Sequence, residues 1–244
     1  MSDFLPAILG AIAGDVATAK EFFAGSTVGA LVSETTSVVV NSLLRRRRQC
    51  ASDIMVAELK SGAAKLDGSD LDDSAAILYR YLRAAEEGAA RLNLRLLAAV
   101  FSGQARERSI APDEFLYFAD MLASLRRDEV ILLGTLLRQS AAHPGTSAAS
   151  KPGARVDSSV KLIATTLTRS ELIPHVFEDR ETFDAIANSL QRTGLVLMTP
   201  VTQYSAGIEV NYKPTKLLKR LNALAEIEGV LARDSQADVA REPD

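Results

Sequence analysis

The sequence contains few of the residues that metal and redox sites require. Of its 244 residues, one is a cysteine, Cys50, and two are histidines, His143 and His175. A single cysteine excludes an intramolecular disulfide and suits a reducing cytosol. Cysteine and histidine together number too few for a structural zinc site. We therefore expect no metal and no cofactor.

Aromatic side chains are also scarce, and they make up only 5% of a chain that is 47% hydrophobic and lacks tryptophan. Its core must be built from Leu, Val, Ile and Ala. These side chains favour helices packed at close distance. The composition therefore predicts a mainly α protein.

Common catalytic and nucleotide-binding motifs are absent. The chain has no G-x-x-x-x-G-K-[ST], no G-x-G-x-x-G after a strand, no G-x-S-x-G and no H-E-x-x-H. Adjacent Glu86 and Glu87 would point about 100° apart on a helix, so we expect a solvated face there and no acid–base pair. The prediction is a protein that is not an enzyme and has no identified small-molecule substrate.

An excess of positive charge is missing as well, since the net charge is −3. This argues against general coating of nucleic acid, although a local basic face remains compatible with the sequence. A basic leader is also missing, because Asp3 stands where a secretory signal carries cations. We expect a cytoplasmic protein, with peripheral attachment to the inner membrane.

Charge is sparse in the first 44 residues, which contain only five charged side chains, and four consecutive arginines follow. An apolar segment closed by cations is typical of a membrane contact, because anionic headgroups hold the arginines. The same layout also fits self-association, or a buried helix with a solvated end. Crossing a bilayer is disfavoured by Glu34, Asn41 and several hydroxyl residues. The candidate membrane or partner contacts are Phe22, Phe23, Gly25, Gly29, Arg45, Arg46, Arg47 and Arg48.

Apolar periodicity and composition predict five parts of the chain. In order they are a Gly-rich apolar helical segment (1–48), a helical bundle (49–140), a linker (141–157), a winged-helix-like module (158–232) and a polar tail (233–244). Leu and Ala recur at spacings of four and three from Leu71 to Ala99, which predicts one long helix over 71–102 with Gly103 as its cap. This helix would be the centre of the bundle, and Pro112 fits the first turn of the helix that follows it.

The C-terminal pattern predicts two helices, a β-hairpin and a closing helix, the order of a winged-helix module. We expect Asp179 to cap the second helix and Gly194 to end it. We expect strands at 195–198 and 208–212, with a turn at Thr199 and Pro200. If the module bound DNA, the helix from about Asp179 to Arg192 would enter the major groove, but its start is acidic. The residues that could hold a DNA backbone in this alternative are Arg192, Lys213, Lys216, Lys219 and Arg220.

Several short runs between residues 75 and 225 resemble the abortive-infection alpha family of bacteria. The runs are Glu86-Glu-Gly-Ala-Ala-Arg-Leu-Asn-Leu-Arg-Leu-Leu-Ala98, Phe115 to Leu125, Asp128, Ile131-Leu-Leu, Leu190-Gln-Arg-Thr-Gly-Leu-Val196 and Tyr212-x-Pro-Thr215. The resemblance implies a soluble helical protein with a small winged-helix-like end that acts in resistance to phage. It assigns no functional residue, and it would make the N-terminus an effector segment acting on the membrane.

Three functional hypotheses follow. The leading one is a non-enzymatic bacterial protein whose N-terminal helices engage a membrane or an oligomeric partner, while the C-terminal module is a docking or sensing surface. The second is a winged-helix DNA-binding protein, and the third is a structural oligomer. They differ in whether the opening segment contacts a membrane or a partner, or is buried inside the protein.

Overall fold

The computed structural model describes residues 34–62, 71–143, 158–203 and 207–239. The chain divides into two compact units, Met1–Ala123 and Ser124–Asp244, which we name unit 1 and unit 2. The described residues form nine helices and one short two-stranded antiparallel sheet near the C-terminus. The predicted fold class, mainly α with a C-terminal β-hairpin, is thereby confirmed.

Helix α3 is the centre of unit 1. The four described helices of this unit are α1 (Glu34–Ser61), α2 (Leu71–Glu87), α3 (Arg91–Glu107) and α4 (Pro112–Ala123). Helix α3 packs against the other three, and its side chains from Leu92 to Ala105 are all buried except that of Arg95. A helix that is buried around most of its circumference belongs inside a bundle.

The prediction of one helix over 71–102 is wrong, because the chain breaks between α2 and α3. Gly88 has a φ of 95°, in the left-handed region that favours glycine. The Gly88 amide donates to the Ala85 carbonyl at 3.2 Å and the Ala89 amide to the Ala84 carbonyl at 3.0 Å, a pair of bonds that closes a helix end. The apolar period continues across this break, which explains the error.

The predicted cap at Gly103 is wrong as well. Gly103 is buried inside α3, which continues to Glu107 and ends at Arg108 in the left-handed conformation, with a φ of 53°. A small residue in that position suits close helix packing. Near it, a Cβ added to Gly62 would stand 2.1 Å from the Ser102 hydroxyl oxygen. The end of α1 therefore passes very close to α3.

Helix α1 runs unbroken across the predicted boundary between residues 48 and 49. Arginine is a good helix former, so the arginine run continues the helix and does not end it. The boundary between the two units, after Ala123, also differs from the predicted linker at 141–157. The helix before that linker continues to Ala142, and residues 144–157 lie outside the described part.

The second half of α1 is fixed in the core of unit 1. Arg95 Nη1 lies 2.9 Å from Glu58 Oε1, and the Glu58 side chain is only 1% exposed. The Ser102 hydroxyl donates to the Glu58 carbonyl at 3.3 Å, and the Tyr81 hydroxyl donates to the Ala51 carbonyl at 2.9 Å. Burial raises the pKa of Tyr81, so its phenol stays protonated and remains a donor. These bonds join α1 to both α2 and α3.

Unit 2 contains the two helices and the β-hairpin that the sequence predicts for a winged-helix-like module, preceded by one helix and followed by two. Its elements are α5 (Arg127–Ala142), α6 (Ser158–Leu172), α7 (Arg180–Ser189), a 3-10 turn (Leu190–Thr193), β1 (Val196–Gln203), β2 (Gly207–Pro214), α8 (Lys216–Ala225) and α9 (Ile227–Val239). The Asp179 carboxylate accepts from the Thr182 amide at 2.8 Å and caps α7 as predicted. Gly194, at a φ of 70°, ends the 3-10 turn.

The hairpin is longer than predicted. Strands β1 and β2 pair from Val196 opposite Pro214 to Gln203 opposite Gly207. The predicted turn at Thr199 and Pro200 is wrong, because Pro200 lies inside β1 opposite Val210. A two-stranded sheet leaves one side of each strand free of ladder bonds, which is where a strand tolerates proline.

The chain after the hairpin forms two helices where one closing helix is predicted. Glu226, with a φ of 51°, separates α8 from α9. The predicted polar tail from residue 233 is also wrong over its first part, since α9 continues to Val239. Asp234 is 1% exposed and lies 2.7 Å from Arg127 Nη1, so this stretch belongs to the packed structure of unit 2.

The two left-handed helix ends of unit 1 predict mutational effects of opposite sign. Gly88→Ala should lower the free energy of unfolding by about 1–2 kcal/mol, because an L side chain is strained at that φ. Arg108→Gly should raise it by about 0.5–1 kcal/mol for the same reason. Urea denaturation followed by circular dichroism measures both. Equal effects of the two substitutions would contradict the assigned helix ends.

Candidate functional site

The first half of α1 is the part of the arginine-containing segment that the structure places at the surface. Val40 is 46% exposed and Leu43 is 48% exposed, whereas Ala51 and Met55 further along the helix are fully buried. Leu44 is half-buried. The alternative of a buried helix with a solvated end therefore does not hold for residues 40–44. The other candidate contacts, Phe22, Phe23, Gly25 and Gly29, lie outside the described residues.

Two of the four arginines hold α1 against the end of α2. Arg47 Nη1 donates to the Glu86 main-chain carbonyl at 2.8 Å. The Nε of Arg48 donates to the Glu86 carboxylate. Helix α2 carries no basic residue in its last turn, although the carboxyl end of a helix is electrostatically negative and favours cations. Arg47 and Arg48 of α1 supply that positive charge.

The other two arginines point elsewhere. Arg45 and Arg46 are exposed, and within the described ranges neither side chain has a hydrogen bond or an ion pair. Successive residues on a helix are rotated by about 100°, so the four arginines cannot all face α2. The exposed first half of α1 therefore presents two cations without counter-ions in the described ranges. Arg46 lies beside Leu43, three residues before it, whereas Arg45 lies on a different side of the helix. We name Val40, Leu43, Arg45 and Arg46 the α1 surface.

The α1 surface is suited to a partner that is both anionic and apolar. Guanidinium groups form paired hydrogen bonds with phosphate or carboxylate oxygens, and exposed aliphatic side chains gain free energy on leaving water. No helix of the described residues is both long and apolar enough to cross a membrane. The same part of the chain contains no cluster of three or more acidic, histidine or cysteine side chains arranged to hold a metal.

The alternative nucleic-acid residues are spread over unit 2. Arg192 lies 3.3 Å from Glu129, so its charge has an internal partner. Lys216 and Lys219 of α8 are exposed, and Lys213 of β2 and Arg220 of α8 are half-buried. Lys219 lines a groove formed mainly by α5, α8 and α9, to which α7 does not contribute. Two acidic residues line the same groove, Glu226 between α8 and α9 and Glu228 of α9.

The exposed start of α7 carries acid where a DNA-reading helix would carry cations or amides. Glu178, Asp179 and Glu181 are all exposed there. Arg180 is compensated by Asp184 at 3.5 Å and by Glu209 of β2 at 3.8 Å. Carboxylates at the start of this helix would repel phosphate. This arrangement favours a protein contact over a groove contact for unit 2.

Glu86 is the residue of this site that the sequence pattern does not reveal. Its sequence neighbourhood predicts a solvated face, yet its carbonyl and carboxylate both accept from arginines of another helix. The partners are separated by 38 and 39 residues, so no local spacing connects them. The one available signal is that the last turn of α2 carries two glutamates and no basic residue.

Comparison of the chain with protein-family models, with curated proteins and with solved structures finds no match. The resemblance to the abortive-infection alpha family therefore stays a prediction from the short runs that carry it.

The division of the arginine run predicts that its two halves differ in their effect on stability. Replacing Arg47 and Arg48 together by Ala should lower the free energy of unfolding by about 1 kcal/mol, because the end of α2 loses its cations. Replacing Arg45 and Arg46 by Ala should change it by less than about 0.5 kcal/mol. Thermal and urea denaturation of the two double variants measure the difference. Equal destabilisation by the two double substitutions would contradict the division of the run into two paired and two unpaired arginines.

Proposed function

We propose that this is a non-enzymatic bacterial protein that attaches to the anionic surface of a membrane through its N-terminal segment. The observation that carries the proposal is the α1 surface. Val40 and Leu43 are exposed there, and in the same short stretch of helix Arg45 and Arg46 have no internal counter-ions in the described structure. Its place of action is then the cytoplasmic side, peripheral to the inner membrane.

The strength of this attachment depends on both kinds of side chain. A basic residue near an anionic bilayer contributes about 1 kcal/mol, so Arg45 and Arg46 alone give about 2 kcal/mol and a weak, salt-sensitive contact. Stable peripheral binding requires a second, apolar contribution. The chain before α1 contains only four charged residues among its first 33, and it supplies that contribution in the proposal.

Unit 2 serves as the docking or sensing surface in this proposal. The exposed acidic residues at the start of α7, Glu178, Asp179 and Glu181, suit contact with a protein that presents basic side chains. A role in resistance to phage is implied by the family resemblance, and it is supported by those sequence runs alone.

Flotation of the full chain with vesicles tests the proposal. The wild type should float with phosphatidylglycerol-containing vesicles more than with phosphatidylcholine vesicles, and less at high salt, because salt screens the arginine–phosphate attraction. Arg45→Ala with Arg46→Ala should reduce binding to the anionic vesicles by about tenfold or more.

The matched control is Lys216→Ala with Lys219→Ala, which removes the same charge from two exposed lysines of α8. This variant should float like the wild type. An equal loss of vesicle binding in both variants would show that binding depends only on net charge, and it would contradict the proposal. Lipid-independent oligomers of fixed size in light scattering would instead support self-association.

The DNA-binding alternative has its own distinguishing result. Salt-dependent retention of duplex DNA that disappears when Lys213, Lys216, Lys219 and Arg220 become Ala would support that alternative over membrane attachment.

A further inference from the structure

Glu86 restricts which arginines of α1 can bind an anion. It accepts from Arg47 through its main-chain carbonyl and from Arg48 through its carboxylate. The carboxylate contact is accessible to solvent, with the Arg48 side chain 29% exposed and the Glu86 side chain 27% exposed. A partner with the same hydrogen-bonding chemistry can therefore reach this arginine and compete for it.

A phosphate group is such a partner. Phosphate and carboxylate oxygens accept from the same guanidinium N–H groups, and phosphate pairs with arginine strongly. Arg45 and Arg48 stand three residues apart on one helix, which makes their side chains neighbours. A phosphate held by Arg45 thus lies near the guanidinium that Glu86 occupies.

We propose that Glu86 is an internal counter-ion that withholds Arg48 from anionic phosphate groups and so sets the affinity of the α1 surface. With the Arg48–Glu86 pair closed, Arg45 binds the phosphate without help from Arg48. With the pair opened, Arg48, its neighbour three residues on, joins Arg45 on the same phosphate. This inference rests on the proposed membrane role, and it adds the regulation of that same surface.

The chain provides a matched control in the next residue. Glu87 is on the same turn of α2, but its carboxylate pairs with Arg83 at 2.9 Å and with Arg80 at 3.7 Å, both on α2 itself. Glu86→Gln and Glu87→Gln change the net charge by the same amount. Only Glu86→Gln removes the carboxylate that holds Arg48.

The test compares the full-length wild type, Glu86→Gln, Glu87→Gln and Glu86→Gln with Arg48→Ala. Two probes are used, phosphatidylglycerol vesicles and soluble inorganic pyrophosphate, so that binding to a lipid headgroup is separated from binding to free phosphate. Glu86→Gln should bind the vesicles about fivefold more tightly than Glu87→Gln, the gain expected from one additional arginine. Adding Arg48→Ala should abolish the gain.

Equal affinities of Glu86→Gln and Glu87→Gln for both probes would overturn the inference while leaving membrane attachment intact. A wild type that does not bind the phosphatidylglycerol vesicles would overturn membrane attachment. In that case, tighter binding of pyrophosphate by Glu86→Gln that is reversed by Arg48→Ala still supports the counter-ion role of Glu86. If Glu86→Gln binds pyrophosphate no more tightly, the counter-ion role is overturned as well.

Discussion

Helix α2 ends in two consecutive glutamates, at the helix end where negative charge is least favourable. The Glu87 carboxylate is compensated within α2 by Arg80 and Arg83. Glu86 is compensated from α1, by Arg47 and Arg48. The contacts that supply these cations hold the arginine part of α1 against the end of α2. As a result, Arg47 and Arg48 are paired inside unit 1, and Arg45 and Arg46 remain at its surface.

Helix α1 consequently has two parts with different physical roles. From Arg47 onward it is fixed by the Glu86 contacts and, deeper in the unit, by the buried ion pair between Glu58 and Arg95. Before Arg47 its described side chains are exposed or half-buried. Because both parts belong to one continuous helix, the anchored part fixes the direction in which Val40, Leu43, Arg45 and Arg46 are presented. A rigidly presented surface binds a partner without first losing conformational entropy.

The parts of the fold that depend on local chemistry could be predicted from the sequence. Asp179 caps α7 and Pro112 begins α4 as predicted. Gly194 ends a 3-10 turn that follows α7, whereas the helix itself already stops at Ser189. Each depends on the conformational or hydrogen-bonding preference of one residue type.

The errors have a different physical origin. Gly88 ends a helix although the Leu and Ala period continues past it. The left-handed backbone at Gly88 breaks the helix, and the spacing of apolar residues does not reveal this. Pro200 lies within a strand because a two-stranded sheet leaves positions without ladder bonds. Asp234 is buried although it lies in a stretch predicted as a polar tail. The prediction failed because the partner of Asp234, Arg127, is 107 residues away in the sequence. The contacts of Glu86 escaped prediction for the same reason, since pairing between distant helices leaves no spacing to detect.

The most direct measurement is the local environment of the α1 surface in the presence of lipid. An environment-sensitive fluorophore attached at Leu43→Cys, in a Cys50→Ser background, should shift to the blue when phosphatidylglycerol vesicles are added. The same label at Leu116→Cys, an exposed position of α4, should not respond. A shift at both positions, or at neither, would contradict the proposal that the first half of α1 contacts the membrane.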